Sequence, residues 1–216
     1  MALQNSAPNS LDPSVAYGEH NQTAFAIQQA INKLQTCTLV EIMAVHNDGE
    51  VSAVGLVDIR PMVAQVDASG KGWPHGTIYN VPYFRLQGGS NAIILDPQVG
   101  DIGMACFASR DISQIKTTKK RGMPGSGRVY DPSDALYLGG FLNGVPTQYV
   151  RFSASGIVIH SPSVITIEAP TVTITGAVNV TGTLSATGEI SAVGKNLSTH
   201  VHGGVQPGAG TTGAPV

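Results

Sequence analysis

Pairs of aliphatic residues with one residue between them recur through the last third of the chain: Ile157/Ile159, Ile165/Ile167, Val172/Ile174 and Val178/Val180. The pattern fades into Leu184/Ala186 and Ile190/Ala192, and the step between pairs shortens from eight residues to six. Residues two apart on an extended strand point to one face, so each pair predicts a short strand with a small apolar patch. Ser, Thr, Gly, Asn and Pro fill the intervals, as turns and solvated strand faces require. Over 149–195 the only charges are Arg151, Glu168, Glu189 and Lys195, and no aromatic follows Phe152. One copy buries too little apolar surface to offset the entropy of ordering it. Its uncharged β-branched edges would also template aggregation. Several copies wound about a common axis, aliphatics inward, remove both problems, and closed cyclic symmetry does so without growing a fibre. A single-chain solenoid or a disordered tail is the alternative.

Upstream the pattern differs. Residues 2–20 are rich in Asn, Ser and Pro and read as an arm. Over 21–34, Phe25, Ile27, Ala30, Ile31 and Leu34 form a stripe of period 3.6, with Asn21 or Thr23 able to cap the first turn of a helix. Residues 38–45 predict a strand, Asn47-Asp48-Gly49 a hairpin turn, and 51–60 the returning strand, with Gly55 a natural bulge. A loop is expected over 67–76 and further strands over 78–86, 92–95 and 102–107. About five short antiparallel strands fit an OB-type barrel, with a small sandwich as the alternative. The stretch 116–144 reads as loop and contains a basic knot of Lys116, Lys119, Lys120 and Arg121. The expected organisation is an arm and helix (1–35), an OB-fold domain (36–115), a connecting loop region (116–148), a β-helix (149–197) and an apex (198–216).

Composition narrows the function. Charged residues make up 12% of the 216 positions and the net charge is −2, which argues against nucleic-acid binding driven by phosphate contacts. No apolar run approaches the roughly 20 residues of a membrane-spanning helix, and the first residues lack signal-peptide character. Cys37 and Cys106 lie in apolar runs and are expected to be buried, reduced thiols, in keeping with synthesis in a cytosol. No Gly-x-Ser-x-Gly elbow occurs, and nothing singles out a carboxylate pair among Glu41, Glu50, Asp58, Asp96 and Asp101, so no enzyme is expected. His20, His46, His75 and His160 are scattered and read as surface or hydrogen-bonded residues.

Two separate stretches carry a family resemblance. Asp58-Ile59-Arg60-Pro61-Met62-Val63, Val81-Pro82-Tyr83-Phe84, Gly88-Gly89 and the run from Val99 to Asp111 resemble the N-terminal domain of phage central spike proteins. These are the baseplate assembly protein V group of contractile-tailed phages and related tailocins. Thr199-His200-Val201-His202-Gly203-Gly204 and the residues after it resemble the apex of the same family. The resemblance implies a homotrimer with an OB-fold collar, a triple-stranded β-helix and a pointed tip carrying iron. It implies as partners the baseplate hub and tail tube, with transient contact to the host outer membrane when sheath contraction drives the tip through it. The implied location is the tail tip of a virion or tailocin particle made in the bacterial cytoplasm. Some relatives carry a lysozyme domain between collar and helix, and 112–147 is too short for one.

His200 and His202 are two apart, so an extended chain aims both imidazoles the same way. Three chains about an axis would offer six nitrogens, enough for one octahedral ion. Six imidazoles weigh against a structural zinc, which prefers four ligands, and leave Fe(II) or Ni(II); the resemblance selects iron, one ion per trimer. A saturated shell leaves no open position for substrate, so the metal's expected role is structural. From other classes, the rivals are a polysaccharide-binding or polysaccharide-cleaving tailspike and an OB-fold nucleic-acid binder. The first calls for sugar-stacking aromatics or a carboxylate pair, the second for aromatics along a basic groove.

Overall fold

The computed structural model describes residues 19–32, 34, 36–47, 51–67, 69–199 and 208. The chain divides into two units, Met1–His160 and Ser161–Val216. Among the described residues no helix is long and apolar enough to cross a membrane. The protein is mainly β.

The first unit opens with helix α1 (Glu19–Asn32), two residues earlier than the apolar stripe predicts, so Asn21 and Thr23 lie inside it rather than at its cap. Ile27 and Ile31 stay more than half exposed. The strands that follow are β1 (Cys37–His46), β2 (Leu56–Pro61), β3 (Gln65–Val66), β4 (Gly72–Trp73), β5 (Ile78–Pro82), β6 (Leu86–Gly88), β7 (Asn91–Ile93), β8 (Ile102–Phe107) and β9 (Ala135–Gly140). Five of them form an antiparallel sheet in the order β5-β2-β1-β8-β9. Alternation explains its burial: Val40 and Ile42 of β1 point inward against Val57 and Ile59 of β2, while Glu41 pairs with Arg60 on the exposed face at 2.9 Å.

The sheet is curled into a half barrel, and three register shifts help to bend it. Met43 is the extra residue between β1 and β2, and Leu138 the extra residue between β8 and β9. The third shift lies where β5 passes β2, at Asn80, whose φ of 56° is left-handed. There the Asn80 N–H, taken out of the ladder, donates to the Asp58 carboxylate at 3.0 Å. Burial pushes the Asp58 carboxyl up, but that N–H and His46, 3.0 Å away, outweigh it and hold it below the usual carboxylate range. Curling brings the outer strands together, where Tyr83, just past β5, bridges in parallel to Tyr137 of β9 and the Phe84 N–H donates to the Tyr137 carbonyl at 2.7 Å. The core is Val40, Ile42, Val57, Ile59, Val81, Tyr83, Ala105, Phe107, Ala135 and Tyr137.

Tyr137 is fully buried, and its hydroxyl has no hydrogen-bond partner among the described residues. Burial, aided by the charge of Asp101, pushes the phenol up to about 12. Opposite it, a Cβ on Gly103 would run into the ring and into the Gly139 carbonyl, which is why glycine occupies that position in the middle of a strand. Tyr137→Phe is expected to leave stability unchanged or raise it by up to about 1 kcal/mol, because it deletes an unsatisfied buried hydroxyl and keeps the ring. Tyr137→Ala is expected to cost about 3–5 kcal/mol. Denaturant midpoints of the two variants check both.

Two polar networks tie the loops to this sheet. Arg85, itself buried, donates to Asp96 Oδ1 at 2.6 Å, to the Ser52 carbonyl at 2.7 Å and to the Tyr83 hydroxyl at 3.3 Å. Arg128 reaches Asp134 Oδ2 at 3.2 Å and Asp111 Oδ1 at 3.0 Å, and both carboxylates are buried. Hydrogen bonds from the side chains of Ser113 and Ser126, then from the Ser113 N–H, hold the Asp111 carboxyl down at about 2, from an ordinary 3.8, with Arg128 adding to them. A carboxyl depressed in the folded state contributes stability above its unfolded value and loses it as pH falls through its folded one. The thermal midpoint of the first unit is therefore expected to fall between about pH 4 and pH 2. Asp111→Asn should flatten that fall, which calorimetry across the same range measures.

Several sequence expectations are corrected. The return strand begins at Leu56, not at 51, and the register shifts lie elsewhere than Gly55. Gly55 instead marks a close approach, since a Cβ there would come within 2.7 Å of the His46 carbonyl. The expected loop at 67–76 carries hairpin β3–β4, in which Asp67 accepts from the Ser69 and Lys71 N–H groups and from Trp73 Nε1. The expected loop at 116–144 holds the end of helix α2 (Ser113–Thr118) and all of β9, so the sheet extends beyond 115. Cys37 is exposed and Cys106 half-buried; neither is a core thiol. The turn at 47–49 falls partly outside the described residues. His46 pairs with Asp58, and His160 stacks on Tyr149 at 5.1 Å.

Candidate metal centre

The aliphatic repeat begins as a hairpin of the first unit. Strand β10 (Tyr149–Ser153) pairs antiparallel with β11 (Gly156–His160), which sets Val150 opposite Ile159 and Phe152 opposite Ile157. The chain supplies this pairing itself, although every residue of both strands remains exposed.

In the second unit, residues 161–190 contribute no strand to any sheet. Their aliphatics stay open: Val164 is 73% exposed, Ile167 72%, Leu184 70% and Ile174 66%. A short hairpin follows, β12 (Ser191–Ala192) with β13 (Lys195–Asn196). Its turn residues Val193 and Gly194 have φ of 51° and 71°, as a two-residue turn of mirror-image type requires.

This hairpin positions the chain just before the His-x-His motif. The Leu197 N–H donates to the Ile190 carbonyl at 2.7 Å, and the Ser198 N–H to Glu189 Oε1 at 3.0 Å. The Ser198 hydroxyl donates to the other Glu189 oxygen, and these bonds hold the Glu189 carboxyl below its usual range, the hydroxyl contributing most. Sequence periodicity misses this clamp. Its one signal is that Glu189 is among the four charges of an otherwise uncharged stretch.

His200 and His202, the expected metal ligands, lie outside the described residues. Among the described residues, no group of three or more His, Cys, Asp or Glu side chains is arranged to hold a metal ion. The donor set itself fits a shared ion better than a private one. Two imidazoles from one chain cannot complete a metal's shell, whereas the same pair repeated about an axis can. The Glu189–Ser198 clamp ends two residues before the first of them.

Among curated proteins none matches the chain. Residues 197–216 match the family model of the GpV apex motif, and that similarity at the end of the aliphatic repeat points to a phage baseplate spike protein, a component of the virion tail.

Proposed function

We propose that this protein is the central spike of a contractile tail baseplate, a homotrimer that pierces the host outer membrane when the sheath contracts. The observation that carries this is the position of the apex motif: residues 197–216 close a stretch whose aliphatic side chains from Val164 to Leu184 stay more than half exposed among the described residues. Winding three such stretches about one axis turns each exposed pair inward and supplies every strand edge with a neighbour. Burying each Val or Ile in this way contributes about 1.5–3 kcal/mol. A prism of this kind has no hinge, so axial force passes through it to the tip.

The first unit is the spike's collar, an OB-type barrel. The order β5-β2-β1-β8-β9 supports it, as does the parallel bridge from Tyr83 to Tyr137 that draws the two edges of the sheet together. The collar's partners are the baseplate hub and the tube. At the apex, His200 and His202 of three chains would hold a single iron ion through six nitrogens. Bound there, the ion supplies cross-linking between chains at a point too thin to have a core. No catalysis is assigned to the chain: its work is mechanical.

Leakage of dye from lipopolysaccharide-containing vesicles, driven by contraction of assembled particles, tests the piercing role. Particles with the wild-type spike are expected to release dye. Particles whose spike lacks 161–216 are expected to contract without release, and equal release from both would overturn the assignment.

A further inference from the structure

We propose that Cys37 and Cys106 form a disulfide-closing pair, a modification site at which a small-molecule disulfide such as oxidised glutathione joins β1 to β8 within one chain. The sheet register sets the two directly opposite each other. Their pair is one of the narrow, non-hydrogen-bonded positions of the ladder. The Phe107 N–H donates to the Thr36 carbonyl at 2.9 Å and the Ile42 N–H to the Asp101 carbonyl at 2.9 Å, so the exchanged bonds flank Cys37 and Cys106 and are not made between them. At such positions the Cα atoms of an antiparallel pair approach to about 4.5 Å and the side chains share a face. That separation lies within the window of roughly 4.4–6.8 Å that disulfides span. Both thiols are free.

Access assigns the order of events. Cys37 is exposed and Cys106 is half-buried, so the oxidant meets Cys37 first. The neighbouring Cys37 side chain, and then burial, push the Cys106 thiol up to about 11, so in the reduced pair it stays protonated while Cys37 reacts. The Cys37 thiolate attacks one sulfur of the oxidised glutathione, forming a mixed disulfide and expelling one glutathione thiolate. Cys106 loses its proton to solvent and attacks the Cys37 sulfur, the protein disulfide forms, and the second glutathione leaves. Two protein thiols are oxidised and one glutathione disulfide is reduced to two thiols. Each step needs a thiolate as the attacking group, so closure should accelerate between pH 7 and pH 9.

The ring so closed encloses β1, β2, β5 and β8, four of the five strands of the sheet. A spike released from a reducing cell interior into an oxidising medium would meet the conditions for closure after assembly. That timing rests on the function proposed above; the chemistry does not, and it can be tested on the purified chain.

The untagged, fully reduced protein is incubated with oxidised glutathione at pH 8, quenched with N-ethylmaleimide and analysed by intact mass and tryptic map. The expected product has lost two hydrogens, takes up no maleimide, contains a linked Cys37–Cys106 peptide pair and runs as one chain without reductant. Its thermal midpoint should rise by about 10 °C and return on adding dithiothreitol. Cys106→Ser should stop at glutathione attached to Cys37, and Cys37→Ser should form no intrachain link. Two alkylated thiols after incubation, a persistent glutathione adduct on the wild-type chain, or a link between chains would each overturn the proposal.

Discussion

Replacing Ile165, Ile174 and Val180 together by aspartate is expected to convert a particle of three chains into a 22.3 kDa monomer. All three side chains are more than half exposed within their own chain, so the substitutions cost the isolated chain almost nothing. In a wound trimer the same three positions bring nine carboxylates to one axis. Each loses the 1.5–3 kcal/mol or so of a buried aliphatic and adds a charge that must be desolvated beside others of its sign. The core of the first unit contains none of them, so its thermal transition should survive in the variant. A triple variant that stays trimeric at micromolar concentration would mean that the stem does not hold the copies together.

The second large effect concerns the tip. Untagged wild-type protein is expected to carry one iron ion per three chains, and His200→Ala to carry none while remaining a folded trimer with a frayed end. Structural metal sites contribute on the order of 10 kcal/mol at neutral pH, so the ion's loss should expose the C-terminal residues to protease long before the stem opens. The ligating imidazoles must be neutral, and protons compete with the ion for their nitrogens, so acidification should release the metal from wild-type protein as well. Elemental analysis and limited proteolysis of the two proteins read both effects. A wild-type content below one ion per three chains sinks the site, and equal iron in the variant removes the imidazoles' role.

The sequence was most readable where alternation was long and unbroken. Strand β8 shows it over all six residues, and β1, although Met43 interrupts its alternation, stands where its apolar run places it. Strand β9 was missed because only Ala135 and Tyr137 turn inward, between Asp134 and a Gly-Gly pair that suggests a loop. Its place comes from β8, which offers a ladder that a local window does not see. Hairpin β3–β4 was missed for another reason: the carboxylate of Asp67 organises it through bonds to backbone and indole N–H groups, and these leave no periodic trace. The cysteines were misjudged because apolar neighbours suggested a buried run. Cys37 is the first residue of its strand, where the sheet no longer covers it.

The stem was legible for the opposite reason, as regular aliphatic pairs with no partner in sight. Among the described residues they stay more than half exposed, from Val164 to Leu184. The first pair of the repeat, Ile157/Ile159, departs from the pairs between Ile165 and Ala186 because β10 precedes it closely enough to pair with it in the same chain. At the apex, His200 and His202 stood out by spacing alone, whereas the Glu189–Ser198 clamp beside them needed coordinates.

Sedimentation equilibrium of the untagged wild-type chain tests the central claim most directly, because it asks whether the stem exists apart from its copies. Three times 22.3 kDa, held down to nanomolar concentration, is the predicted mass. A single well-folded species of 22.3 kDa would contradict the account.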